Sequence, residues 1–164
     1  MPSDGVDRIV EQWAAERPEL DTEAMAIFGR VFRVAALAGE RMEASYARVG
    51  VSRADFDVLA TLRRSGPPFQ LTPGALSSAL MLTTGGMTGR LNRLEGAGLV
   101  ARSPGAGDRR SLLVSLTDQG RDVVDEAVVT GLETQQRLAG ELSAADRKRL
   151  SNLLRKLLIA VGSS

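Results

Sequence analysis

Thr83-Thr-Gly-Gly-Met-Thr-Gly-Arg-Leu-Asn-Arg-Leu-Glu95 is the stretch that decides the fold. Met87, Leu91 and Leu94 recur at steps of four and three, which marks one apolar face of a helix. Gly96-Ala-Gly98 closes that helix. Working upstream, Thr72-Pro73 starts another helix, with proline in the first turn where its missing N–H costs nothing. It runs through Leu76 and Leu80 and breaks near Thr83. Before it, Ser52-x-x-Asp55 resembles a capping box with Asp in the Glu position, opening a helix through Phe56, Leu59 and Leu62 that Gly66-Pro-Pro68 ends. Downstream, Leu99-Val-Ala-Arg102 and Ser111-Leu-Leu-Val-Ser-Leu116 read as short strands. Between them, Ser103-Pro-Gly-Ala-Gly-Asp-Arg-Arg110 supplies hairpin turn residues. Helix–helix–helix–hairpin predicts a winged helix-turn-helix: mainly α, with a small β-hairpin wing.

Long amphipathic helices flank this middle region. Thr22 to Val49 reads as one helix, with Met25, Phe28, Val31, Phe32, Ala35, Ala38, Met42, Tyr46 and Val49 on one face. Val6 to Glu16 makes a shorter one with Val6, Ile9, Val10 and Trp13 on one side, broken by Arg17-Pro18. After the hairpin, Thr117 or Asp118 caps a helix carrying Val123, Val124, Ala127, Val128, Leu132 and Leu138. Ser143 caps the last, with Leu150, Leu153, Leu154, Leu157, Leu158 and Val161 on a stripe. Stripes this apolar, packed against a second copy, give a helical homodimer. The organisation expected is N-terminal helices over 1–51, the winged region over 52–116 and C-terminal dimerisation helices over 117–164, all one structural unit.

Composition narrows the chemistry. The 164 residues include no cysteine and no histidine, which excludes disulfides, thiol switches, Cys/His zinc sites and imidazole catalysis. Acids, histidines and cysteines form no catalytic constellation, so an enzyme is the weakest reading, and no cofactor or metal is expected. The acidic start lacks the apolar run of a signal peptide, and apolar stretches are too short to span a membrane, which predicts a cytoplasmic protein. Net charge is only +1, but it is uneven: −3 over residues 1–51, +4 over 52–116 and 0 over 117–164. A basic middle third points to a polyanion partner there.

A helix-turn-helix lays its second helix in the DNA major groove while a wing reaches the backbone or minor groove. Thr83, Thr84, Gly86 and Thr88, with Gly85 beside them, are small enough for close approach to bases, and hydroxyls at a helix N-terminus suit phosphate. Arg90 and Arg93 sit one turn apart, within reach of a guanine edge or a phosphate. Gly85, Gly86 and Gly89 each cost a helix up to about 1 kcal/mol against alanine, which points either to close approach to another backbone or to a loose glycine-rich loop that never forms a helix. At the wing tip, Asp108-Arg-Arg110 offers two guanidinium groups, Arg109 and Arg110, suited to a narrow minor groove.

Phe56-Asp-Val-Leu59, Thr84-Gly-Gly-Met-Thr88, Arg93-Leu-Glu95, Gly98-Leu-Val100 with Arg102, Asp108-Arg-Arg110, and Leu116-Thr117 through Gly120-Arg121 together resemble the MarR family of transcriptional regulators. The resemblance covers roughly residues 22–160, in the family's order and spacing. It implies a homodimer bound to double-stranded pseudo-palindromic operator DNA, usually a repressor released by a small ligand. It also implies that Arg110 is the wing position linked to Asp108 and to DNA. Gly105 and Gly107 depart from the polar and proline residues usual in this wing.

The extra first helix, with Trp13 ahead of Arg17-Pro-Glu-Leu20, resembles the family's urate-responsive branch. That resemblance implies a ligand site of Trp13, Asp57, Arg90 and Arg102. Urate is a planar anion that wants an aromatic neighbour, guanidinium donors and an acceptor for its N–H groups, which these four supply. Each also has a plainer role: Trp13 as an apolar anchor, Asp57 as a first-turn acid, Arg90 as a DNA contact, Arg102 as a strand-edge charge. Alternatives are a phenolic or antibiotic effector on the same fold, or a helical dimer that binds protein instead of DNA.

Overall fold

The structure, a computed structural model, describes residues 3–105 and 112–162. It divides into two compact units, 1–41 and 42–164, a division that falls inside the second helix.

The first unit holds α1 (Gly5–Glu16) and the larger part of α2 (Glu23–Ala47). Asp4 caps α1, accepting from the N–H groups of Val6 (2.7 Å) and Asp7 (3.1 Å), while Asp7 accepts from the Asp4 N–H at 2.8 Å. Arg30 of α2 reaches back to both carboxylates, which ties the two helices together. Those N–H donors and Arg30 hold the Asp4 and Asp7 carboxyls below their usual range. The buried anchor of α1 is Val6, seated on Gly29. Trp13 is instead 42% exposed, so it does not fill the anchor role.

The second unit carries α3 (Arg53–Arg64), β1 (Gln70–Leu71), α4 (Pro73–Ala79), α5 (Thr84–Gly96), β2 (Val100–Pro104), β3 (Leu112–Leu116), α6 (Asp118–Leu138) and α7 (Ala144–Gly162). Every helix of the winged region starts at a hydroxyl cap: Ser52, Thr72 and Thr83 each accept from an N–H of the first turn. The hairpin strands pair antiparallel, with Arg102 opposite Val114. The sheet has three strands in the order β1-β3-β2; Gln70–Leu71 follows the Gly66-Pro-Pro68 break and was not anticipated, being too short to carry a period.

Val58, Leu59 and Leu62 of α3, Leu76 of α4, Met87, Leu91 and Leu94 of α5, and Val114 and Leu116 of β3 bury into one core. Val124 and Ala127 of α6 close it. Tyr46 stacks on Phe56 at 4.2 Å between ring centres and lies against Gly131. The wing root is locked to α6: the Thr117 hydroxyl donates to the Gly98 carbonyl (2.7 Å) and accepts from the Gly120 N–H (2.9 Å), and the Thr117 N–H donates to the Leu99 carbonyl (3.2 Å). No residue of α7 is buried, and its stripe of Leu150, Leu153, Leu154, Leu158 and Val161 is exposed. Phe32, on the expected apolar face of α2, is exposed too. No described helix is long and apolar enough to cross a membrane.

Candidate nucleic-acid interface

The apolar face of α5 packs inward through Met87, Leu91 and Leu94, which leaves the opposite side of its first two turns outward. Thr83, Thr84, Gly85, Gly86, Thr88 and Gly89 are all exposed there. Thr83 caps the helix through the Gly86 N–H (3.3 Å), and the Thr88 hydroxyl donates back to the Thr84 carbonyl (3.0 Å). A side-chain carbon placed on Gly85 or Gly89 would meet nothing within 4 Å. No backbone among the described residues approaches these glycines, so the close neighbour expected from the sequence is not found among them. What remains is a flat face of hydroxyls and bare backbone at the positive end of a helix dipole, chemistry that accepts phosphate and base edges.

Arg90 and Arg93 of α5 both hydrogen-bond to α3. Arg90 Nη1 donates to the Ala54 carbonyl at 3.1 Å, in the first turn of α3. Arg93 closes a fork on Asp55, with Nη2 at 2.7 Å from Oδ1 and Nε at 3.2 and 3.1 Å from the two oxygens. Asp55 also accepts the Ser52 hydroxyl at 2.7 Å. Burial alone would raise its carboxyl; the Arg93 and Ser52 hydrogen bonds outweigh that and hold it below the usual value. Both guanidinium groups are therefore engaged on α3 in this conformation, while the Arg93 side chain stays 58% exposed. Sequence reasoning found Ser52-x-x-Asp55 as a cap but missed its third partner, since 38 residues separate Asp55 from Arg93.

Met81 was missed as well. It lies between α4 and α5 with φ +51° and is 94% exposed. A left-handed turn at this point is what lets Thr83 begin a new helix, yet the sequence offers methionine where glycine would signal the turn.

Of the wing residues, Arg102 is described, whereas Asp108, Arg109 and Arg110 lie outside the described residues. Arg102 Nη2 donates to the Asn92 amide oxygen at 2.7 Å, and Nη1 is 3.5 Å from Glu95. Asn92 and Glu95 sit on the side of α5 away from Arg90 and Arg93, by the 100° step of a helix. Arg90 and Arg102 thus engage different faces of α5. The Arg102 Nε is buried and has no hydrogen-bond partner among the described residues.

Asp57, half-buried on α3, makes no side-chain hydrogen bond or ion pair among the described residues. Burial pushes the Tyr46 hydroxyl up, and the nearby Asp57 charge pushes it further. Trp13 belongs to the first compact unit, and Asp57, Arg90 and Arg102 belong to the second. Within the second unit, no two of these three are joined by a hydrogen bond.

A family model described as MarR family matches residues 49–111. The chain is similar to the HTH-type transcriptional regulator PecS of Dickeya dadantii (strain 3937), 38% identical over 149 residues that cover 91% of this chain and 90% of that protein. It is also similar to the multiple antibiotic resistance protein MarR of Escherichia coli (strain K12), 32% identical over 66% of this chain and 74% of that protein. Among solved structures, a mutant MarR from E. coli complexed with operator DNA matches with a TM-score of 0.73 and 27% identity, over 84% of this chain and 96% of that one.

Proposed function

The chain belongs to the MarR family and is a DNA-binding transcriptional regulator; from that premise we propose that it works as a homodimeric repressor released from its operator by urate or a related anionic purine. The DNA face in this reading is Thr83, Thr84, Gly86 and Thr88 on α5, with Arg109 and Arg110 of the wing. The exposed stripes on α6 and α7, from Leu132 to Val161, favour a second copy as the missing partner.

The observation that carries the effector reading is a pair of unsatisfied groups: the Asp57 carboxylate and the buried Arg102 Nε. An unpartnered buried N–H costs free energy that a ligand anion recovers. Arg90, on α5, supplies a further donor, and Trp13 an aromatic surface. An anion that draws Arg90 and Arg102 into new bonds favours one arrangement of α5 and the wing over another. A coupling of about 1–3 kcal/mol weakens DNA binding roughly 5- to 150-fold, enough for derepression.

Fluorescence anisotropy of labelled DNA from upstream of the protein's own gene, titrated with protein at fixed salt with and without urate, tests this. Tight binding that weakens with urate is the expected result. Tight binding indifferent to urate removes urate and turns attention to phenolic effectors. Binding that does not fall steeply with salt contradicts contacts to several phosphates.

A further inference from the structure

We propose that Asp55 and Arg93 form a clamp that fixes the pose of α5 on α3, so that Arg93 serves DNA recognition as a positioning residue and not as a contact. The proposal rests on α5 being the DNA-facing helix.

Asp55 is 7% exposed and its carboxylate oxygens are filled: Arg93 supplies a fork and Ser52 a hydroxyl. If Arg93 swung out to a phosphate, a buried charge would be left with one neutral side-chain donor, which is strongly unfavourable. The planar fork of arginine suits this bidentate grip, and lysine cannot reproduce it. One turn earlier, Arg90 holds the Ala54 carbonyl, so two successive turns of α5 are pinned to the first turn of α3. The pinned half is the C-terminal one. The outward half begins at Thr83 and carries Gly85, Gly86 and Gly89, with little helix stability of its own. Thr84 lies nine residues, about 14 Å, from the clamp at Arg93. A tilt of about 10° at the clamp therefore moves the DNA-facing end by about 2 Å, enough to break a hydrogen bond.

The test compares Arg93→Gln, Asp55→Asn, the double variant and the exchange Asp55→Arg/Arg93→Asp with the wild type. All are assayed well below their melting temperatures, on a duplex selected from a random-sequence pool by the wild-type protein. The expected result is that Asp55→Asn and Arg93→Gln each weaken binding by the same factor, about tenfold, and that the double variant is no worse than either. The slope of log affinity against log salt stays at the wild-type value. Hydrogen exchange without DNA rises in α5 but not in α6. The exchange variant recovers part of the affinity. If Arg93→Gln lowers the salt slope by about 0.9 while Asp55→Asn binds as well as wild type or better, Arg93 is a phosphate contact and the clamp is overturned. Unchanged α5 exchange in Asp55→Asn overturns it too, and that variant keeps the side-chain volume should Arg93→Gln not fold. Thr84→Ala and Thr88→Ala separate the premise from the proposal: wild-type affinity in both overturns α5 as the DNA-facing helix, whatever the clamp does.

Discussion

Gly120 and Leu99 approach so closely that a methyl on Gly120 would sit 1.9 Å from the Leu99 carbonyl oxygen. Backbone lies against backbone at the point where the wing leaves α5 and α6 begins. Thr117 bridges the same junction through Gly98 and Leu99. The wing and α6 are thereby made one rigid joint, which gives a physical reason for Gly98-Leu99 and Thr117-x-x-Gly120 occurring together.

Gly120→Ala is expected to destabilise the fold by about 3 kcal/mol or more, since backbone on both sides leaves no rotamer by which to escape the overlap. Urea denaturation measures it. A loss below about 1 kcal/mol would mean that the joint yields, and the rigid wing root would be wrong.

The opposite sign is expected at Gly89, whose outward side meets nothing within 4 Å. Gly89→Ala should stabilise the free protein by about 0.5–1 kcal/mol through helix propensity while weakening operator binding. Denaturation and anisotropy on the same variant check both halves. A variant that gains stability and binds DNA as well as wild type would show that α5 does not need that bare surface.

Met81 carries a left-handed φ of +51° with 94% of its surface in water, so its side chain gains little packing for the strain. Met81→Gly should raise stability by about 0.5–1 kcal/mol, read as a higher urea midpoint with an unchanged slope.

The parts of this fold that were legible in the sequence are those that local chemistry dictates. Ser52, Thr72, Thr83 and Thr117 each cap a helix, because a short hydroxyl before an apolar period leaves one place for the first turn to start. Met87, Leu91 and Leu94 were readable as core because their period is that of a helix. What stayed hidden depends on residues far apart in the chain. The Asp55 partner of Arg93, and the Asn92 and Glu95 partners of Arg102, carry no local signal in the sequence. The two-residue strand Gln70–Leu71 has no pattern of its own and exists because Ser115 and Val114 offer it partners. Trp13 failed as an anchor because Val6, facing Gly29, already holds α1.

The Asp55 carboxyl is held below its ordinary value in the folded protein, so its contribution is complete above the unfolded value, about 3.9, and disappears as pH falls through the lower folded one. The groups facing it are Arg93, which stays charged throughout, and Ser52. Wild type should exceed Asp55→Asn in stability at pH 6, and the gap should narrow only below about pH 4. Urea midpoints of the two proteins between pH 3 and 6 check this. A gap that stays constant down to pH 3 would place the carboxylate's effect in packing and not in charge.

Asp57→Asn and Trp13→Phe separate effector response from DNA binding. The Asp57 carboxylate bonds to nothing among the described residues, and Trp13 stands on α1, away in sequence from the α5 face. Removing one charge or trimming one ring should therefore leave affinity for DNA within about twofold in the absence of ligand, since neither residue is asked to touch phosphate or base. The urate concentration needed to release half the DNA should rise about tenfold, the worth of one charge-assisted hydrogen bond or one aromatic face. Anisotropy with urate titrated into a preformed complex reads both quantities in one experiment. Should either variant lose DNA affinity and urate response together, the two functions share that residue, and the division between an effector site on α3 and a reading face on α5 fails.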